Sequence, residues 1–518
     1  MERILKNNVY IFLILFLTAI ATYFFAFSAP FIFDDDLLVE HNVLIRSLNN
    51  VPDFFVVNSQ SGAGVSGSNF YRPMQYIAYA LLYQVFGLSP IAFHSLPVLL
   101  HILNAFLIFL FFGKLGFKKI SSLLMSMLFI VHPVQTEAVS YVSGIADPLG
   151  LAFLLSGILV FLSEKKTFLN GMLTVALFVL AILSKESMIV FFPLAVLLVI
   201  YFWSSFSKQK RNFNIKVLSV LFGVSLFYLF LKFTVFDFTG VIGLAEEKSI
   251  YTESLYIRII TFINILWEYA KLIIYPAHLF LEKPYTAYVS LFSLRALFGL
   301  SVIFGGAYLA VRSFYRKKIF FLGFFWFFIA LAPVSGIIPL NAIFLEHWLY
   351  TPIIGILIIL AGVFDRALAT KSRTALFALF AIFLLFLSGR TIYRNAQWAD
   401  AIAFYNNELQ YTPRSARVHN NLAMLYSDKR EYTLAIDEYK KAIAIRDIYP
   451  QTHHNLANAY VAVGDFKNAE NEYKKALALD SKFMYSYVAL FTLYKQTNPS
   501  KAIELQDFLK KKFNLELK

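Results

Sequence analysis

No cysteine occurs anywhere in the 518 residues. That absence excludes disulfides and thiolate metal sites, and it leaves the redox compartment unmarked. Charge is also scarce: Asp, Glu, Lys and Arg make up only 15% of the chain, too little to clothe a soluble globular protein of this size. Acids are scarcer than bases, 32 against 46. A net charge of +14 in a soluble protein would suggest nucleic acid. Here the basic residues lie mostly in short loops between apolar segments, so they serve as topology signals and no nucleic-acid partner is expected.

What fills the chain instead is hydrocarbon, 59% of residues being hydrophobic, in stretches that recur as far as about residue 390. The fold class this predicts is all-α: a polytopic helix bundle in a lipid bilayer over 1–390, then a polar segment over 391–518. The first apolar run, Val9 to Ala29, follows Arg3 and Lys6 and has only a weak cleavage pattern at its end, so it is expected to be a retained anchor. Further spans are expected near 91–112, 119–133, 147–163, 168–183, 187–203, 213–233, 294–312, 319–334, 348–364 and 373–389, about eleven in all. Two apolar helices, 72–87 and 258–275, are ambiguous. If neither crosses, Lys114/Lys118/Lys119, Lys165/Lys166, Lys208/Lys210/Arg211, Arg312/Arg316/Lys317/Lys318 and Arg366/Lys371/Arg373 all fall on the side of Arg3 and Lys6. That choice puts the N-terminus in the cytoplasm, a first outer loop at about 30–90, and the polar segment outside.

The same topology gathers Asp34, Asp35, Asp36, His132, Glu137, Asp147, Lys185, Glu186, Glu346 and His347 on the outer face. Charges at a membrane boundary that collect on one side suggest one site. Three adjacent carboxylates repel, so at least one should bind its proton more tightly, as a catalytic base or cation ligand does. The alternative is that the acids cap a helix and mark the membrane edge. His94 and His101, seven apart, share a helical face, a weak metal signal by itself.

After residue 390 a repeat appears. Leu422, Ala435, Tyr439 and Ala442 recur as Leu456, Ala469, Tyr473 and Ala476, each 34 positions on. That period and its small and aromatic positions mark tetratricopeptide repeats, which stack into an α-solenoid with a concave docking surface. Repeats are expected at about 416–449 and 450–483, with a half repeat at 398–413 and a degenerate cap at 484–518.

Several segments resemble one family. Phe33-Asp34-Asp35-Asp36 with Asn42, Tyr71-Arg72-Pro73, Phe93-His94 and Leu100-His101 are similar to the opening of the transmembrane and tetratricopeptide-repeat-containing O-mannosyltransferases and their bacterial relatives. His132-Pro133-Val134-Gln135-Thr136-Glu137, Gly144-Ile145-Ala146-Asp147, Leu183-Ser184-Lys185-Glu186 and Glu346-His347-Trp348-Leu349-Tyr350 continue the match. The resemblance implies a C-type glycosyltransferase that takes a sugar, mannose in the family's name, from a polyprenyl phosphate and passes it to a protein or peptide hydroxyl outside the cytoplasm, with the repeats docking the acceptor. It implies a base in the first outer loop, Asp35 before Asp34 and Asp36, and at that boundary Asp35→Asn is expected to cost little stability. Lys185 and Arg72 are the expected phosphate ligands. His132, His94, His101 and His347 are expected to donate to phosphate or sugar, with Asp147, Glu186 and Glu346 beside them. No metal ligand set is assigned, no cofactor is certain, and a divalent cation is left open. The modest repeat array points to a bacterial inner membrane.

Two departures stand against the transfer of function: Ile145 replaces a family arginine, and Trp348 another in the bacterial pattern. A non-catalytic repeat scaffold anchored in the membrane is therefore the competing expectation. A transporter would place its charges near mid-bilayer on broken helices.

Overall fold

The computed structural model describes residues 7–58, 61–63, 70–164, 167–235, 250–283, 286–315, 318–338, 340, 342–368, 370, 373–513 and 515. The topology residues Arg3, Lys6, Lys165, Lys166, Arg316, Lys317 and Lys371 lie outside that set. Helices of α, 3-10 and π type account for all the regular structure among the described residues, and no strand occurs there, as the fold class required. Contacts divide the chain into two compact units, Met1–Ala399 and Asp400–Lys518.

Among the described residues of the first unit, six helices are long and apolar enough to cross a membrane: Asn8–Ser28, Pro90–Lys114, Val142–Phe161, Lys208–Thr234, Leu294–Ser313 and Thr374–Ala399. Lys119–Val131 and Pro133–Ser140 form a pair bent by 56° that would make a seventh. Phe168–Ser184, Glu186–Phe202 and Lys318–Val334 are apolar but shorter, and 348–364 is represented by the 15-residue helix Ile353–Ala367. Among the described residues the full-length candidates thus number six or seven, and shorter apolar helices occupy others of the eleven expected stretches. Length makes the difference, because composition alone does not show where a helix breaks. Neither Pro73–Phe86 nor Leu255–Ile274, which occupy the two ambiguous stretches, is among the candidate spans.

Local chemistry starts and stops these helices. Asn7, Thr167, Ser207 and Ser254 accept hydrogen bonds from first-turn amides that have no partner within the helix. The core holds the fully buried rings of Phe93, Phe111, Phe112, Phe129 and Trp326. Helices Lys318–Leu331 and Ile353–Ala367 meet through Gly323 and Gly355. A Cβ on either would stand 2.4 Å from the other's carbonyl oxygen, so only glycine allows the approach.

The last helix of this unit runs from Arg373 to Ala399 without a break at 390. In the second unit Ala401–Tyr411 precedes three helical pairs: Ala416–Asp428 with Tyr432–Ile445, Pro450–Ala462 with Phe466–Leu479, and Met484–Thr497 with Pro499–Phe513. The third pair, expected to be a degenerate cap, is fully formed, with Leu490, Tyr494, Ala502 and Leu509 buried. In the first two pairs a buried histidine recurs 34 residues apart. His419 Nδ1 lies 2.5 Å from Glu438, and His453 lies 2.6 Å from both Glu472 and Asp447.

A carboxylate stands at each ring nitrogen of His453, an arrangement that favours the cation. Burial alone would lower its pKa, but Glu472 and Asp447 outweigh burial and raise it above 6.5. A histidine whose pKa is raised on folding contributes stability that is complete below the unfolded value and fades as pH rises through the folded one. The thermal midpoint of the repeats should therefore fall as pH is raised through neutrality. His453→Gln should flatten that slope; an unchanged slope would assign the pH dependence elsewhere.

Candidate functional site

The segment Ser140–Ser143 carries the site. It links the bent pair ending at Ser140 to the helix beginning at Ala146, and its groups reach three other parts of the first unit. Ser143 donates from its amide and its hydroxyl to Asp35 Oδ1, at 2.8 and 2.5 Å. The amide of Asp34 donates to the Tyr141 hydroxyl at 2.8 Å. Tyr79 donates to the Val142 carbonyl at 2.9 Å, and Gln75 to the Ser143 carbonyl at 3.2 Å. The acid run and the helix Pro73–Phe86 are thereby fastened to one short turn.

The three acids have three different situations. Asp35 is fully buried, and Oδ2 also accepts the Ile32 amide at 3.3 Å. Asp34 is half-buried. Asp36 is partly exposed and pairs with His41 at 2.5 Å. Burial pushes the Asp35 carboxyl up to about 7, against its hydrogen bonds, while the charge of Asp34 adds the smallest share. One acid of the run does hold its proton more tightly, but desolvation is the main cause, not repulsion. The expectation that Asp35 is a surface carboxylate is corrected: it sits beside an apolar cluster that includes Leu38, Val39, Tyr79 and Phe93. Phe33, just before the run, has φ of 50°, a left-handed conformation that is costly for a large side chain.

A second group brings Arg72, Lys185, Asp147 and Glu186 together. Lys185 Nζ lies 2.5 Å from Asp147. Arg72 Nε lies 3.2 Å from Glu186, which also accepts the Tyr71 amide. Burial pushes the Lys185 ammonium down, and Arg72 stands near enough to add to this while Asp147 opposes it. Both expected phosphate ligands are thus paired at rest, yet neither is used up. Lys185 has two further N–H donors, and Arg72 keeps its terminal nitrogens beyond Nε. Tyr79 lies in the field of both Asp35 and Arg72, which places this group next to the acid run.

Asp147 and Lys185 line a narrow cavity with Ser187, Met188, Val190 and Trp348. Val190 also lines an apolar groove formed by Phe192, Phe222, Leu226, Leu229 and Ile329 among others. The two departures from the family pattern fall in different surroundings. Trp348 is at the charged cavity, whereas Ile145 is fully buried in the apolar cluster with Val142 and Tyr79, where a guanidinium would lose its water.

A third group is Glu137, His347, Glu346 and Lys283. Glu137 Oε1 lies 2.5 Å from His347 Nδ1, and Oε2 accepts the amides of Glu346 and His347. Glu346 takes Lys283 at 2.7 Å and the Phe280 amide at 2.8 Å. The charges expected to share one face are therefore three clusters. Lys283 was missed because it belongs to no motif. A lysine in a loop assigned to the outer side, against the positive-inside rule, was the signal available.

The remaining histidines are not brought to these charges. His101 bonds Tyr350 at 2.8 Å within a ring of Tyr23 and Phe129. His132 accepts the Val134 amide on Nδ1 and donates from Nε2 to Ile273 O at 2.9 Å. His94 stacks on Phe31. Among the described residues no three His, Asp or Glu side chains converge as a metal would need.

The tetratricopeptide repeat family matches residues 414–482. Over 85% of this chain, a protein O-mannosyl-transferase of Caenorhabditis elegans is 25% identical, and the match covers 63% of that protein. The human protein O-mannosyl-transferase TMTC4 is 24% identical over 81% of this chain, which covers 64% of it. Drosophila melanogaster Tmtc1 is 32% identical over a third of this chain and 20% of its own length. The chain spans less than two thirds of the length of these relatives. In its apolar helical unit and its repeats the chain is similar to these protein O-mannosyl-transferases, whose names describe glycosyltransferases.

Proposed function

We propose that this protein transfers a sugar, mannose first among candidates, from a polyprenyl phosphate to a serine or threonine hydroxyl of a protein or peptide at the extracytoplasmic face of a bacterial inner membrane. The observation that carries the proposal is the junction at Val190 of an apolar groove and a charged cavity, the latter about 20 Å³ and thus water-sized until its ion pairs open. A donor with a phosphate head and a long hydrocarbon tail needs both, side by side. Lys185 and Arg72 would hold the phosphate by exchanging part of their pairing with Asp147 and Glu186 for phosphate oxygens. Trp348 offers a flat apolar face to the sugar.

In the transfer, the acceptor oxygen forms a bond to the anomeric carbon as the bond from that carbon to the phosphate oxygen breaks. The hydroxyl proton passes to a carboxylate, and the electron pair leaves with the lipid phosphate. We assign the carboxylate to Asp34. Asp35 is fully covered, so an acceptor hydroxyl has no approach to it, whereas Asp34 is half-buried. The repeats would present the acceptor.

The test is transfer of labelled sugar from a synthetic mannosyl polyprenyl phosphate to a Ser/Thr-rich protein, with the full chain in nanodiscs. Label on the hydroxyl with wild type, and about tenfold weaker donor binding with Lys185→Ala, is expected. Neither donor binding nor transfer by the wild type would leave the membrane-anchored repeat scaffold as the function.

A further inference from the structure

The turn at Ser140 and Tyr141 is held from one side by the end of the helix Arg373–Ala399. Asn395 Oδ1 accepts the Ser140 hydroxyl at 2.5 Å, and its amide nitrogen donates to Thr22 O at 2.8 Å. One turn on, the Trp398 ring lies against the Tyr141 ring, with centroids 5.6 Å apart and an angle of 31° between planes. The Arg394 guanidinium lies 5.4 Å from the Trp398 ring centre and within electrostatic reach of Glu346. Trp398 is buried, at 1% exposure, and Tyr141 at 7%. Positions 394, 395 and 398 share one helical face. That face therefore touches both Ser140 and Tyr141.

The other end of Tyr141 does the second half of the work. Its hydroxyl accepts the backbone amide of Asp34, immediately after the left-handed Phe33. A backbone in that conformation persists only where neighbours hold it. On one side Ser143 holds Asp35; on the other Tyr141 holds Asp34.

We infer that Tyr141, seated on Trp398, is a positioning residue for Asp34, so that the end of the helix leading into the repeats sets where the proposed base stands. This assignment rests on the reading of Asp34 as the base only for its catalytic consequence. The positioning itself is a matter of hydrogen bonding and packing. The chain passes from Ala399 directly into the repeat unit at Asp400, so a change in the tilt or winding of the last helical turn reaches Trp398 first. Tyr141 then transmits it to the Asp34 amide. Two stiff aromatic rings suit this role, since each has few rotamers and the pair has a preferred geometry.

The experiment is hydrogen exchange of the Asp34 amide in the full chain in nanodiscs, resolved by fragmentation of overlapping peptides. Wild type is compared with Tyr141→Phe, Trp398→Leu and Trp398→Phe. Exchange at Asp34 should be about tenfold faster in Tyr141→Phe, which lacks the accepting oxygen. It should be at least about threefold faster in Trp398→Leu, which fills the space without a ring, and within about twofold of wild type in Trp398→Phe. Amides of Pro90–Lys114 should keep wild-type exchange in every variant, which shows that the bundle is intact. Unchanged Asp34 exchange in Tyr141→Phe overturns the assignment, and so does Trp398→Leu indistinguishable from Trp398→Phe.

Transfer rates are read in parallel. A fall in kcat of about 10–100-fold in Tyr141→Phe with the donor KM unchanged is expected, and no further fall when Tyr141→Phe is added to Asp34→Asn. If the exchange pattern holds while the wild type shows no transfer, positioning stands and the glycosyltransferase reading falls.

Discussion

Asp34→Asn should reduce sugar transfer by about 10²–10⁴-fold, the usual contribution of a positioned general base, and leave thermal stability unchanged. Asp35→Asn should behave in the opposite way, with transfer within about tenfold of wild type and an altered pH dependence of stability. The contrast follows from how each carboxyl is placed. Asp35 has no exposure, and its oxygens already receive the Ser143 amide, the Ser143 hydroxyl and the Ile32 amide, so an acceptor hydroxyl has no approach to it. Asp34 is fixed through its backbone, and its side chain is half-buried. The sign of the pH effect is the reverse of the usual acid. A carboxyl raised to about 7 in the folded state keeps its proton where the unfolded chain, near 4, has lost it. Stability from this group is full at low pH and is lost as pH rises from about 4 to about 7. The shift of roughly three units corresponds to about 4 kcal/mol as an order of magnitude. Asn at this position cannot ionise, so the slope should vanish. Unfolding midpoints from pH 4 to 8 and single-turnover transfer rates on the same variants provide the check. Transfer surviving in Asp34→Asn and lost in Asp35→Asn would move the base to Asp35.

The helical class and the repeats were legible because hydrophobic period and the 34-residue period are local properties of the chain. Even the recurrence of His419 with Glu438 as His453 with Glu472 follows that period and could have been read from it. The pairing of charges could not. Lys185 meets Asp147, 38 residues back; Arg72 meets Glu186, 114 residues on; and Glu137 meets His347 across 210 residues. A topology argument sorts such residues to one face but does not say which acid faces which base, because that depends on helix rotation and tilt set by packing. Burial at the acid run was hidden for a related reason. An Asp triplet looks solvated in sequence, and only the turn at Ser143 shows that the middle carboxyl points inward with donors waiting for it.

Lys283→Met should be the most destabilising single change in the three charged clusters, at about 3–5 kcal/mol, because it leaves a carboxylate buried without its partner. Lys283 and Glu346 have side chains only 2% and 1% exposed, and their charged atoms lie 2.7 Å apart. The ammonium also lies 3.6 Å from the centre of the Phe280 ring, a second favourable contact that methionine would largely forfeit. Burial already raises the Glu346 pKa despite the lysine. Without Lys283 the group has to take up a proton or expose itself to water. Either response disturbs the neighbouring backbone, and the Glu346 and His347 amides are the two that hold Glu137. Transfer activity should therefore fall along with stability. Glu346→Gln removes the charge while keeping a carbonyl oxygen for the Phe280 amide, which donates at 2.8 Å, so its own cost is that of stranding the lysine. In the double variant neither charge remains, and part of the lost stability should return, with a coupling energy of about 1–3 kcal/mol. The measurement is a double-mutant cycle on thermal unfolding in nanodiscs. Strictly additive losses would mean that the two charges are solvated independently, and that the third cluster plays no part in fixing Glu137 and His347.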